Sequence, residues 1–147
     1  MSDHRDYEVS DDAARIDRDW VYAMLRASYW GGALTREVFE RSVAGSLCVG
    51  AYRGGAQIGF ARAITDRATM AWLSDVIVAD TARGQGVGRA LTRALLDHPE
   101  LRGLRRWNLN TRDAHGVYAA LGFSALKDPG GYMERVDPTY AAAVASG

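Results

Sequence analysis

Between residues 16 and 27 the apolar positions Ile16, Trp20, Ala23, Met24 and Ala27 recur every three or four residues, and Val21 and Leu25 widen the stripe. That period predicts an amphipathic helix over about 17–28. Tyr29-Trp30-Gly31-Gly32 interrupts it, and Thr35 supplies an N-cap for a second helix through Val38, Phe39 and Val43. From residue 47 the pattern changes to that of strands. Leu47-Cys48-Val49-Gly50-Ala51-Tyr52-Arg53 and residues 56–65 flank Gly54-Gly55, which reads as a hairpin. Asp66-Arg67-Ala68 marks a second turn, and residues 69–78 a third strand of the meander. Residues 7–10 form a short edge strand.

The second half is read in the same way. Val87, Leu91, Ala94 and Leu95 share one helical face, so a helix covers about 86–97 until His98-Pro99 stops it. Residues 105–111 are strand-like, with Trp107 and Leu109 facing inward. A short helix starts at Asp113 or His115, runs through Val117, Tyr118 and Leu121, and ends on Gly122 as its C-cap. Residues 123–127 and 132–136 predict two more strands around the Asp128-Pro129-Gly130-Gly131 turn. Residues 1–6 and the Ala-rich tail from 138 to 147 are expected to fray. The result is one α/β domain of α+β type over 1–147.

The junction of the third strand and the long helix carries the chemistry. Val76-Ile77-Val78 is an apolar β-branched run, and Arg83-Gly84-Gln85-Gly86-Val87-Gly88-Arg89 leads from it into the helix. Amides of such a loop and the positive end of the helix dipole favour an anion. Without Cβ, Gly84, Gly86 and Gly88 permit positive φ and close approach of phosphate oxygens. Arg83 and Arg89 add fixed positive charge. The spacing is Arg-x-x-Gly-x-Gly. It matches neither the dinucleotide fingerprint nor the Walker loop, because no Gly-x-Gly-x-x-Gly and no Lys-Ser/Thr pair is present.

Charge supports this only locally. The formal net charge is zero, which gives no argument for a nucleic-acid or membrane partner. Residues 83–106 hold six arginines against Asp97 and Glu100, a local charge of +4, whereas residues 1–20 carry −4. A basic segment beside the loop suits a multiply anionic cofactor. A single cysteine, Cys48, rules out an internal disulfide and reads as a small buried hydrophobe. No signal-peptide h-region and no apolar run of 18 residues is seen, so a cytoplasmic enzyme is expected.

The Arg83-x-x-Gly86-x-Gly88 loop, with Asp75-Val76-Ile77-Val78 before it, closely resembles the coenzyme A pyrophosphate loop and central strand of the GCN5-related N-acetyltransferase (GNAT) family. Ala114-His115-Gly116-Val117-Tyr118-Ala119-Ala120-Leu121-Gly122-Phe123 resembles that family's Ala-x-x-Tyr-x-x-x-Gly-Phe segment, and the element order is the family's as well. Thr111-Arg112-Asp113-Ala114-His115-Gly116-Val117-Tyr118 looks like a subgroup of uncharacterised bacterial members. The resemblance implies a mixed, mostly antiparallel sheet of six to seven strands flanked by about four helices and splayed between its fourth and fifth strands. It implies acetyl-CoA held by Val76, Ile77, Val78, Arg83, Gly84, Gln85, Gly86, Val87, Gly88, Arg89, Asn110, His115 and Tyr118. The acyl carbonyl would lie near the amide of Ile77 or Val78, with residues 107–111 as the other lip of the cleft.

The reaction implied is direct transfer of an acetyl group to a primary amine of a small molecule or peptide, with no covalent enzyme intermediate. Tyr118 stands at the family's general-acid position, and a phenol with pKa about 10 can protonate a departing thiolate while staying neutral itself. The base is less determined. Asp75 faces the cleft if Val76 and Val78 face the core, and it would relay a proton or bind the ammonium. His115 titrates in the right range but begins a helix. Asp113 reads as an N-cap, and His4 and His98 as exposed side chains. Tyr29, Trp30, Arg62 and Trp72 are acceptor-side candidates by location alone. No metal cluster is evident, and a homodimer is the default assembly. Two other readings stay open: an acetyl-CoA sensor without turnover, and a nucleotide-binding or interaction domain using the glycine loop generically.

Overall fold

A computed structural model describes residues 5–28 and 32–146. The first helix, α1 (Arg18–Ala27), starts where Asp17 accepts from the Trp20 amide at 3.1 Å. The second, α2 (Arg36–Ala44), starts where Thr35 accepts from Val38 at 3.2 Å, as its sequence predicts. Strand β1 (Glu8–Ser10) pairs with β2 (Leu47–Arg53), which pairs with β3 (Ala56–Thr65). Gly54 and Gly55 both take positive φ, 57° and 85°, the twist a tight hairpin demands. Strand β4 (Met70–Val78) completes an antiparallel meander. Helix α3 (Val87–Leu96) then crosses over to β5 (Arg106–Asn108), which lies parallel to β4.

The sheet separates two cores. On one face Val49, Ala61, Ala71 and Leu73 lie under Val87, Leu91 and Leu95 of α3. On the other, Cys48, Phe60 and Ile77 meet Val21 and Leu25 of α1 and Phe39 and Val43 of α2. Gly59 sets how closely α3 crosses β3. A Cβ there would stand 2.8 Å from Val87 Cγ1 and 3.0 Å from Leu91 Cδ1. That close crossing seats the N-terminus of α3 beside the end of β4.

The C-terminal part departs from expectation. Among the described residues the sheet has five strands, ordered β1-β2-β3-β4-β5, not six to seven, and there are five helices. Residues 123–127 and 132–136 form no strand. Alternation says which face a strand would bury, but it names no edge to bond. Every residue from 124 to 137 is exposed. The tail does not fray throughout: α5 (Pro138–Ser146) forms behind Asp137, whose carboxylate accepts from the Tyr140 amide at 3.1 Å.

Two local expectations are also corrected. The short α4 (His115–Ala119) is not capped by Asp113; its cap residue is Ala114, whose amide donates to Thr111 Oγ1 at 3.1 Å. His98 is buried rather than exposed. Its Nε2 lies 2.7 Å from Asp11 Oδ2, while Nδ1 accepts from the Glu100 amide at 3.1 Å. Among the described residues no helix is long and apolar enough to cross a membrane.

Candidate active site

The site begins with a fault in β4. Phe60 faces Ile77 and Arg62 faces Ser74, so Ala61 alone opposes both Asp75 and Val76. Asp75 takes the extra place in the left-handed region at φ 56°, a conformation Asp tolerates better than most side chains. This is a β-bulge, which bends a strand and re-aims its side chains. Beyond it, Val76 and Val78 pack on the α3 side while Ile77 enters the α1/α2 core.

The bulge leaves one edge of β4 open. Strand β5 pairs only with Met70, Ala71 and Trp72. Past Trp72 the chains part around a cleft of about 520 Å³, lined by β4 through Val76 and by residues 109–114 with Tyr118. A second cleft of about 530 Å³ shares Val76, Arg112 and Asp113 and continues past Ile77 and Val78 to Asp80 and Arg83. The two make a trough along the free edge of β4. Ala79 donates to Ile58 O at 2.8 Å. By strand alternation the Ile77 amide also points toward β3, so the Val78 amide faces the open side.

At its far end the trough meets the glycine loop. Gly84 and Gly86 have φ of 76° and 79°, and a Cβ on either would meet nothing within 4 Å. Gly86 is the N-cap of α3 and offers no side chain to cap it. Among the described residues, none of the amides from 84 to 89 donates to another protein group. Gly88 differs from expectation. It is helical, and a Cβ there would lie in ordinary 3.7 Å contact with Val76 and Val78. Unsatisfied donors at a helix N-terminus, with open space before them, fit an anionic diphosphate.

Side chains steady this loop rather than fill it. Arg53 donates to Gln85 Oε1 and, at 2.9 Å, to Asp6, which ties the β2–β3 hairpin to the loop. Gln85 in turn donates to Thr81 O at 3.4 Å. Arg83 lies 3.1 Å from Asp80, and both are well exposed.

Tyr118 reaches the cleft from α4, with its ring edge-on to Phe123 at 6.0 Å between centroids. Partial burial raises its phenol pKa above the ordinary value, so the neutral hydroxyl is favoured. Asp75 also lines the cleft, but its Oδ2 accepts from Arg62 Nε at 2.6 Å, and both side chains are only 14% exposed. Arg62 donates further to Ser46 Oγ at 2.9 Å and lines neither cleft. Asn110 and Trp72 line the cleft with Tyr118. His115 lines an adjoining cavity of about 450 Å³, which Asn110 and Tyr118 also border. Tyr29 and Trp30 lie outside the described residues. Cys48 is buried and its thiol is pushed up to about 11 by desolvation, which suits packing and not nucleophilic attack.

Several contributors escape a reading of the sequence alone. The Arg62–Asp75 pair and the Arg53–Gln85 clasp join residues far apart in the chain. Arg112 and Asp113 line both clefts, though nothing in their spacing marks them. The bulge did leave a trace. Ala71 and Leu73 share a face with Val76 and Val78, so the apolar positions change parity across Asp75.

The chain is similar to known proteins over most of its length. Residues 11–123 match the family model described as "Acetyltransferase (GNAT) family". A Gibberella zeae protein named as a putative acetyltransferase is 31% identical over 121 residues, covering 66% of this chain and 68% of that one. The crystal structure of a GNAT-family protein from Xanthomonas campestris pv. campestris superposes with a TM-score of 0.86 at 40% identity, over 90% of this chain and 94% of its own. The glucosamine-6-phosphate N-acetyltransferase of Arabidopsis thaliana shares the fold at a TM-score of 0.66, with 14% identity over 90% of this chain and 99% of that one.

Proposed function

The chain belongs to the GNAT acetyltransferase family, and from that premise we propose that it transfers an acetyl group from acetyl-CoA directly to the primary amine of a small molecule or peptide. The observation that carries this reading is the row of amides from 84 to 89 without internal acceptors, opening onto a trough that leads to Tyr118. Acetyl-CoA supplies an activated thioester. The amides of Gln85, Gly86, Val87, Gly88 and Arg89 would hold its diphosphate, with Arg83 and Arg89 adding charge. The free edge of β4 at Val76, Ile77 and Val78 offers strand-like pairing to its amide-bearing arm.

The residues then divide the work. The Val78 amide, on the open side, is the donor placed to polarise the acyl oxygen. Tyr118 gives a proton to the departing sulfur, and its raised pKa keeps that proton available at neutral pH. Asp75 presents negative charge to the incoming ammonium. Its Oδ2 is held by Arg62, so the carboxylate is fixed in place to orient the amine while water carries the proton away. Trp72 walls the acceptor side, while Asn110 and His115, which border one cavity with Tyr118, contact the cofactor.

Thiol release with acetyl-CoA across a panel of amines tests the activity, with calorimetry against coenzyme A, ATP and NAD beside it. Tight binding of coenzyme A and release with at least one amine are expected. Binding without release from any amine would instead identify a sensor. Preference for ATP or NAD would overturn the cofactor assignment.

A further inference from the structure

The glycine loop must hold one shape to present its amides, yet its composition makes it loose. Gly84 and Gly86 leave Gln85 as the one side chain of residues 84–86, and all three residues are exposed. A Cβ on either glycine would meet nothing within 4 Å. Among the described residues no amide from 84 to 89 has a protein acceptor. Glycines so placed sample many conformations, and ordering them as a ligand binds weakens its affinity.

Gln85 is where a distant part of the fold takes hold of this loop. Its Oε1 accepts from Arg53 Nη2, and its Nε2 donates to Thr81 O at 3.4 Å. Arg53 is the last residue of β2. Val49 and Ala51 of that strand lie in the core under α3, and alternation turns Arg53 to the same side. The guanidinium is held from behind as well. Its Nε and Nη2 donate to Asp6 Oδ1 at 3.1 and 2.9 Å, and the side chain is 29% exposed. An arginine gripped at two nitrogens keeps its planar fork in one orientation. Asp6 and Arg53 line neither cleft of the trough.

We propose that Arg53 is a positioning residue for the cofactor. Held by Asp6, it clasps the Gln85 side chain and keeps residues 84–86 in the shape that aims their amides at the diphosphate. The inference rests on the coenzyme A reading of that loop. Arg53 acts through Gln85 and does not itself meet the cofactor. The clasp orders the loop before the ligand arrives, so part of the ordering cost is absent from binding. Without Arg53 the same amides remain, but the glycines on either side of Gln85 are free to wander.

Calorimetry with coenzyme A tests this on the unmodified chain, Arg53→Ala, Gln85→Ala and the double variant, with ¹⁵N relaxation of the loop amides beside it. Arg53→Ala should raise Kd by about 3–10-fold, the worth of one hydrogen bond, with a near-normal Tm. The double variant should match Gln85→Ala, because both changes break one link. In free Arg53→Ala the order parameters of residues 84–86 should fall below about 0.6 and recover on saturation with coenzyme A. A purely structural role for Arg53 would move Tm and not these. Asp6→Asn, at a residue 72% exposed, should shift Kd and loop order the same way by less, and it carries the test if Arg53→Ala does not fold. Losses that add in the double variant make Arg53 an independent ligand of the cofactor and overturn the proposal. An unchanged Kd or unchanged loop order overturns it too. Those results leave the cofactor reading standing, whereas an unmodified chain that binds no coenzyme A overturns both.

Discussion

Strand β4 has two edges with different lives. Toward β3 it is paired from Ala71 to Val78, interrupted only by the bulge at Asp75. Toward β5 it is paired at three residues and then stands open. The first edge lies between two buried layers, one under α3 and one under α1 and α2. The second faces the trough that runs from Trp72 and Tyr118 to Asp80 and Arg83. One strand thus holds the fold together on one side and offers its unsatisfied backbone on the other. Stability is expected to reside on the closed side and ligand binding on the open side, and substitutions can separate the two.

The largest effect should come from the closed side. Phe60 is fully buried where β3 meets the α1/α2 core, so Phe60→Ala should cost about 3–5 kcal/mol in denaturant unfolding. Val117→Ala, on the exposed face of α4, should stay within about 0.5 kcal/mol. Equal losses at the two positions would erase the distinction.

On the open side the effect should fall on rate. Tyr118→Phe is expected to lower kcat by about 10²–10⁴-fold with an unchanged KM for acetyl-CoA and a near-normal Tm. Because burial raises the phenol pKa, the neutral hydroxyl persists as pH rises. Activity of the unmodified chain should therefore survive past the ordinary phenol value of about 10 before phenolate formation removes it. An unchanged kcat in the variant assigns proton delivery to another group.

The bulge joins the two edges and should respond to both chemistry and backbone. Asn tolerates the left-handed conformation that Asp75 adopts, so Asp75→Asn removes charge while keeping φ. Asp75→Ala adds roughly 1 kcal/mol of backbone strain, to be read by comparing the two unfolding curves. If orientation of the amine is the role of Asp75, the Asn variant should raise KM for the acceptor more than for acetyl-CoA.

The smallest effect lies in the turn that feeds β4. Asp66 accepts from the amides of Ala68, Thr69 and Met70 and from the Thr69 hydroxyl, and these bonds hold its carboxyl well below the usual range. A lowered folded-state pKa contributes stability above the unfolded value that is lost as pH falls through the folded one. Below pH about 4 the unmodified chain should lose Tm more steeply than Asp66→Asn.

The same contrast governs how much of the molecule could be read in advance. The meander, α1, α2 and α3 follow from local patterns: apolar period, Thr35 and Asp17 as caps, and a Gly-Gly turn with both φ positive. The turn at the glycine loop was legible because the positive φ of Gly84 and Gly86 is a local property too. What stayed hidden depends on partners distant in the chain. His98 is buried because Asp11, 87 residues away, receives it. Asp75 is engaged because Arg62 on the neighbouring strand reaches it. Residues 123–127 and 132–136 have the pattern of strands, yet pattern alone does not supply an edge to bond.

The central claim is that the free amides at the start of α3 and the open edge of β4 form one binding surface for coenzyme A. Titration of ¹⁵N-labelled protein with coenzyme A reads both regions residue by residue. The expected result is that the amides of Gln85, Gly86, Val87, Gly88 and Arg89 shift most, together with that of Val78, while those of β2 stay still. Saturation with coenzyme A that leaves those loop amides unmoved would contradict it.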